Sequence, residues 1–259
     1  MPLPLSQVDT ARLAERLPAA IRAAGVETLT ARAQALERHG AGWRLLLQHG
    51  DALVSDQLVL AAGGLCRVLW PALPPQLGCS WAGLLELPQG VGGDGVLRLP
   101  RRFTRLSLER RAATLQEPAW VVDAGLAPRG QGALLGQLSW IAPGQADPPA
   151  AAAAAETWLR CSLKESAPRP LAALADAPGR YRQLPVAFCS HGLPLVGPLP
   201  AADGLWLFSG FSGGFAQVPV LAPLLARAIT AEGQLRQRAL GELDRLQVLP
   251  QCSASAAAG

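Results

Sequence analysis

Charge is scarce in this chain. Asp, Glu, Lys and Arg make up 16% of its 259 residues, and Lys164 is the only lysine. Aromatics are equally few, at 5%, with Tyr181 the only tyrosine. No basic run is longer than the pairs Arg101-Arg102 and Arg110-Arg111. A net charge of +4 therefore does not imply a basic groove interleaved with stacking aromatics, and no nucleic-acid partner is expected. A hydrophobic share of 50% excludes a disordered chain. The five cysteines, Cys66, Cys79, Cys161, Cys189 and Cys252, form no C-x-x-C pair, and only His39, His49 and His191 could join them. That spacing predicts no metal site. Scattered, odd-numbered thiols fit a reducing compartment, so a cytoplasmic location is expected. The opening Met1-Pro2-Leu3-Pro4-Leu5 lacks a basic segment and a long apolar one, and does not read as a signal peptide.

What the sequence does contain is a sequence of α/β signals. The length allows one or two domains. Leu13, Leu17, Ile21 and Ala24 share one helical face behind the candidate caps Asp9 and Thr10, and Gly25 ends that helix. A strand is expected over 26–30, then a hairpin of 33–38 and 43–48 around His39-Gly40-Ala41-Gly42. Residues 65–100 read as loop and short strands. Strand patterns at 96–99, 104–108, 119–122 and 133–141 predict a mostly antiparallel sheet. Asp147 and the prolines Pro148 and Pro149 start a helix that runs through the alanines to about Leu163. A short helix or turn over 168–177 and a brief strand at 186–188 follow. The last elements are a strand over 205–208 and helices over 217–231 and 235–246. Residues 205–226 carry no charge, but their glycines and the prolines Pro219 and Pro223 argue for a buried strand, a turn and a helix rather than a membrane span.

Three glycine segments are candidate ligand sites. Gly90-Val91-Gly92-Gly93-Asp94-Gly95 has the letters of a dinucleotide fingerprint but precedes a strand pattern, so it reads as a hairpin loop. Gly210-Phe211-Ser212-Gly213-Gly214-Phe215 follows a buried strand and opens a helix, where bare backbone and free N–H groups suit a ligand. Asp56-Gln57-Leu58-Val59-Leu60-Ala61-Ala62-Gly63-Gly64 is a strand ending in glycines. Cys189 and His191 share a strand face, and a buried thiol beside a turn histidine is the simpler reading of that pair.

The order of these segments resembles the C-terminal two-thirds of the FAD-dependent D-amino-acid oxidase and glycine oxidase family. The helix from Val8-Asp9-Thr10 to Gly25-Val26 is similar to one entering the flavin domain. The segment ending Ala61-Ala62-Gly63-Gly64 resembles the strand that passes the cofactor. His191-Gly192-Leu193-Pro194-Leu195-Val196-Gly197-Pro198 resembles the family's D-G-L-P-L-I-G-P segment. Gly204 through Phe215 and the following helix look like its closing motif at the flavin ring, and Leu243-Asp244-Arg245 echoes its ending.

The resemblance implies an incomplete, Rossmann-like FAD-binding domain from residues 1–72 and 186–246. An inserted antiparallel substrate domain would occupy 73–185, and a disordered tail 247–259. It implies roles: Ala33 near the adenine, Ala62, Gly63 and Gly64 along the dinucleotide, and Gly210, Phe211, Ser212, Gly213, Gly214 and Phe215 at the isoalloxazine. His191 stands where the family has its Asp, beside the substrate, and Val186 where it has a carboxylate-gripping Arg. The family opens with a strand, G-x-G-x-x-G and a helix that this sequence lacks. The chain is expected to be a C-terminal portion, with such a unit encoded upstream. The implied activity is oxidation of a small amine, amino acid or related substrate by hydride transfer to FAD, with no catalytic acid or base assigned. The alternative is a non-catalytic fragment or interaction module derived from such a flavoprotein.

Overall fold

The computed structural model describes residues 8–92, 97–143 and 152–251. It opens with α1 (Thr10–Ala23), whose Asp9 carboxylate accepts a hydrogen bond from the Arg12 N–H at 3.1 Å. Strands β1 (Ala33–His39), β2 (Gly42–Leu47) and β3 (Ala52–Ser55) form an antiparallel sheet in that order. The expected hairpin is its first half. β4 (Leu58–Leu60) leads through a 3-10 turn at Gly63–Leu65 into the short α2 (Cys66–Leu69). β5 (Leu77–Leu87) follows, then α3 (Thr104–Arg110), β6 (Ala119–Arg129) and β7 (Gly132–Ile141). Next come α4 (Ala152–Ser166), α5 (Arg169–Ala172) and β8 (Arg180–Cys189). β9 (Leu195–Pro198), β10 (Leu205–Ser209), α6 (Gly214–Thr230) and α7 (Gly233–Arg245) complete the described elements.

Two further sheets decide the layout. One has the order β4-β10-β9, with β4 and β10 parallel and β9 antiparallel to β10. The other is antiparallel, in the order β6-β7-β5-β8. Packing α4 on this sheet buries Leu85, Leu135, Leu138, Leu159 and Leu163 completely. α6 and α7 pack on the smaller sheet, around Val196, Trp206, Leu225 and Leu243. The mixed α/β architecture with antiparallel sheets is the expected class.

Several local expectations are corrected. Residues 26–30 form no strand, and Val26 and Leu29 are exposed. Residues 104–108 are helical, not extended. The cause is remote: the Asp123 carboxylate accepts from the Thr104 N–H at 2.7 Å, the Thr104 hydroxyl at 2.6 Å and the Arg105 N–H at 3.0 Å. It satisfies the free donors of the first helical turn from 19 residues away. The stretch 65–100, expected as loop and short strands, holds the long central strand β5. Its interior glycines Gly78 and Gly83 leave space for the rings of Phe188 and Tyr181, so they mark close approach rather than a turn. β8 is longer than the brief strand expected at 186–188. Val196 N–H donates to the Val248 carbonyl at 2.7 Å and Val248 is buried, so the segment just after α7 packs instead of trailing off. The expected cap at Asp147, residues 93–96 of the glycine decoy and residues 252–259 of the tail lie outside the described residues.

Glu109 on α3 is buried, and its Oε1 lies 3.5 Å from Arg105 Nε. Burial pushes its carboxyl pKa up, against the pull of Arg105 and with help from Asp123. A raised folded-state pKa means that the folded chain favours the protonated acid. Stability from this group is therefore fully present at low pH and lost as pH rises from the unfolded value through the raised one. Glu109→Gln should leave stability at neutral pH equal or higher. Its advantage should shrink on acidification, which urea melts across pH 4 to 8 would measure. A loss of stability at neutral pH would show that the Arg105 pair outweighs the burial cost.

Candidate functional site

The site is built where β4 and β10 end. These strands pair in parallel, Leu58 with Leu205 through Leu60 with Leu207, so the segments after them leave the sheet at one edge. Ligands of open α/β sheets bind outside such carboxyl ends. Ser209 Oγ donates to the Gly63 carbonyl at 3.4 Å, and Cys66 Sγ donates to Ser209 Oγ at 3.7 Å, which ties the two segments together. Gly210 adopts φ +83°, and a Cβ there would stand 3.1 Å from Leu77 Cδ1 and 3.3 Å from Cys189 Cβ. Gly64 is buried, and its Cβ would meet Cys79 Sγ at 2.8 Å. Both positions therefore require glycine, one for its backbone and both for space.

Beside this edge lies a cavity of about 400 Å³. Gly63, Gly64 and Arg67 form one wall, Gln76 to Cys79 at the start of β5 another, and Ile141, Phe188 and Ser190 the large sheet's contribution. Arg67 Nη1 donates to the carbonyls of Pro71 and Leu73 at 3.1 and 3.0 Å. Its Nη2 donates to those of Pro74 and Leu77 at 2.8 and 2.7 Å. Burial lowers its pKa. Sequence reasoning missed Arg67, because an arginine after a glycine strand end carries no motif. Cys79 was read as incidental, yet its thiol lies on the cavity wall.

The expected site residues divide into those that converge here and those that do not. The Ala62-Gly63-Gly64 segment is tied through the Gly63 carbonyl to Ser209, the neighbour of Gly210. Phe211 turns back on Phe208, with ring centroids 4.6 Å apart. Ser212, Gly213, Gly214 and Phe215 carry the chain into α6, and Phe215 is exposed. The Gly213 N–H, expected to be free for a ligand, donates to Gln217 Oε1 at 3.0 Å. Ala33 lies on the separate β1-β2-β3 sheet, opposite Leu47. His191 is exposed and does not line the cavity.

His191 does pair with Cys189, Nε2 to Sγ, at 3.3 Å. Its Nδ1 accepts from the Leu193 N–H at 3.4 Å, so the neutral ring carries its proton on Nε2 and donates to sulfur. Burial pushes the Cys189 pKa up to about 11, so the pair is a thiol held by an imidazole and not an ionised nucleophile. Burial likewise raises Cys79 to about 11 and raises Cys66. Near pH 8 a thiol of that pKa is ionised in roughly one molecule per thousand. Iodoacetamide should therefore label the exposed Cys161 long before Cys66, Cys79 or Cys189. Peptide mass mapping over a time course would check this order. Rapid labelling of Cys79 would contradict it.

Among the described residues no group of three or more His, Cys, Asp and Glu side chains could hold a metal ion. No helix among them is long and apolar enough to cross a membrane.

Comparison with known proteins bears on this geometry. The profile of the FAD dependent oxidoreductase family, DAO, matches residues 4–228. Glycine oxidase from Geobacillus kaustophilus superposes with a TM-score of 0.62 at 17% identity, over 88% of this chain and 56% of that one. Iminodiacetate oxidase from Chelativorans sp. BNC1 gives 0.60 at 16%, with the same coverage of 88% and 56%. Fructosamine oxidase from Aspergillus fumigatus gives 0.52 at 19%, over 86% of this chain and 55% of that one. The chain thus spans little more than half the length of these structures, and at such identities the likeness shows the fold. In sequence, a 72-residue stretch, 27% of this chain, is 43% identical to the tRNA 5-methylaminomethyl-2-thiouridine biosynthesis bifunctional protein MnmC of Caulobacter sp. strain K31, covering 12% of that protein.

Proposed function

Because the chain belongs to the FAD dependent oxidoreductase family, whose cofactor is FAD, we propose that it forms the part of a flavin oxidase that holds the flavin ring edge and shapes the substrate cavity. The substrate would be a small amine, amino acid or related compound, oxidised by hydride transfer. One observation carries this reading. The glycine-lined ends of β4 and β10 meet at one sheet edge, directly beside a cavity of about 400 Å³. Support for FAD is the bare backbone at Gly63, where a Cβ would meet no protein atom, beside Gly64 and Gly210, whose missing Cβ atoms leave room for Cys79 and Leu77. Bound FAD would supply a two-electron acceptor. The protein's part is to seat the ring edge with Ala62, Gly63, Gly64 and the 210–215 turn, and to enclose the substrate between α2, β5 and the large sheet. Ala33 and His191 belong to this proposal only as outer contacts, to the adenine and to the substrate entrance.

The test is fluorescence titration with FAD, followed by anaerobic mixing with a panel of amines and amino acids. Saturable quenching that Gly210→Val abolishes, with bleaching of the flavin band by one substrate class, is the expected result. Quenching that is unsaturable, or unaffected by Gly210→Val in a folded variant, would defeat the proposal.

The similarity to the tRNA 5-methylaminomethyl-2-thiouridine biosynthesis protein favours a second reading, in which the amine is borne by a tRNA nucleoside. Addition of unfractionated tRNA to the same assay separates the two. Bleaching by tRNA and not by free amines selects the second. A chain that binds no flavin at all would point to the non-catalytic module instead.

A further inference from the structure

We infer that the uncovered half of the large sheet is a docking surface for an acidic segment of a partner protein, which seats an apolar side chain in a second cleft. This goes beyond the oxidase reading and does not depend on it. α3 covers the half of the sheet face nearer the cavity, where Leu108 packs with Ile141 and Phe188. Beyond it the face is open. Leu184, on the same side of β8 as Arg182 and opposite Ala82 of β5, is 67% exposed. Here lies a cleft of about 250 Å³, between the sheet and the segment 97–103 that leads into α3. Leu84, Ala127 and Leu134 line it from the sheet, and Leu99 and Phe103, 47% and 52% exposed, from the segment. Small-molecule sites enclose about 300–1,000 Å³. This cleft is smaller, with room for an anchoring side chain.

The charge around the cleft is one-sided. Arg98 and Arg105 line it, and Arg101 and Arg102 are exposed on the segment between them. Two residues beyond Leu84, the carboxylate oxygens of Glu86 are bonded by Arg129 of β6 and Arg182 of β8, and Arg180 stands opposite Glu86 in the register. The acids of this face are already answered: Glu86 by that pair, Asp123 by the N–H groups that start α3, and the buried Glu109 by Arg105. Seven arginines against these three acids leave an excess of four, which equals the net charge of the whole chain. The fold thus gathers on one face what the sequence scatters over three segments. Arginines around an apolar cleft match an apolar anchor flanked by Asp and Glu: the buried anchor supplies affinity, and the rim charges supply orientation and rate. A nucleic acid would use the charge but not the leucines, and among the residues lining the cleft only Phe103 offers a ring to stack on. An anionic bilayer is flat and would leave a concave cleft empty.

The test uses the full chain and three fluorescein-labelled peptides, read by fluorescence anisotropy. E-E-D-L-F-D-E-E carries anchor and charge, Q-Q-N-L-F-N-Q-Q the anchor alone, and E-E-D-G-G-D-E-E the charge alone. The first should bind at least about tenfold more tightly than either of the others. Raising salt from about 0.05 to about 0.5 M should weaken it at least about fivefold. Arg101→Glu combined with Arg180→Glu should weaken it at least about tenfold. Arg12→Glu combined with Arg16→Glu, the same change of net charge on α1, should leave it within about twofold. Equal binding of the three peptides overturns the inference, as does no binding of the first at millimolar concentration. Equal effects of the two double reversals overturn it too. Tighter binding of a single-stranded oligonucleotide, or of phosphatidylserine vesicles, at the same arginines would assign the face to phosphate and overturn it as well. Should the Arg101 and Arg180 double variant fail to fold, Arg101→Glu alone should still weaken the first peptide about threefold, and no change would overturn the inference. A chain that binds the peptide yet no flavin would refute the oxidase reading alone.

Discussion

FAD and riboflavin are expected to bind this chain with affinities within about tenfold of each other. The glycine segments proposed to hold a flavin would meet its ring edge, which both molecules share. The one strand–glycine–helix unit placed there, β10 through Gly213 into α6, has its Gly213 N–H already donated to Gln217. That leaves one fewer donor for a phosphate at the helix start. Charge-assisted hydrogen bonds contribute about 1.5–3 kcal/mol each. Forgoing one of them weakens a dinucleotide by about 1.5–3 kcal/mol, or roughly one to two orders of magnitude. Parallel fluorescence titrations measure both constants. FAD binding more than a hundredfold tighter than riboflavin would show that a phosphate site exists after all, and would redirect attention to the backbone at α6.

A large loss of stability is expected from a truncation where α4 covers the large sheet. Leu159→Ala on α4 should cost about 2–5 kcal/mol, because the side chain is fully buried between the helix and the large sheet. Leu17→Ala on α1 should cost less than about 1 kcal/mol, since Leu17 is 47% exposed and α1 has no buried residue. Urea melts of both variants would decide. A comparable loss in the two would mean that α1 is covered in solution by something the described residues do not provide. The contrast separates two helices that look alike in sequence. Both carry apolar residues at helical spacing, and only one has a sheet to cover.

The glycine segments were legible because their chemistry is local. A strand ending in Ala61-Ala62-Gly63-Gly64 and a strand leading into Gly210 each declare close backbone approach. Their order carried the family resemblance that the match over residues 4–228 establishes. The decoy at Gly90 was separable for the same reason, since its neighbours lack the helix that phosphate binding needs. The hairpin of β1 and β2, the cap at Asp9 and the approximate run of α6 and α7 also follow from neighbours a few residues apart.

What only the tertiary structure decided depends on partners distant in the chain. α3 is helical because Asp123, on β6, caps it, and no window of local sequence contains both. β5 is a central strand because Phe188 and Tyr181 fill the space over its glycines, which alone read as loop. Arg67 enters the cavity wall because four carbonyls of the 71–77 segment hold it there, and backbone acceptors leave no trace in side-chain identity. The sequence by itself determined the α/β class, the family and the two glycine ends. The cavity between them, the place of Arg67 on its wall and the exposure of α1 were set by which surfaces met on folding, because burial and pairing belong to the pair of surfaces and not to either segment alone.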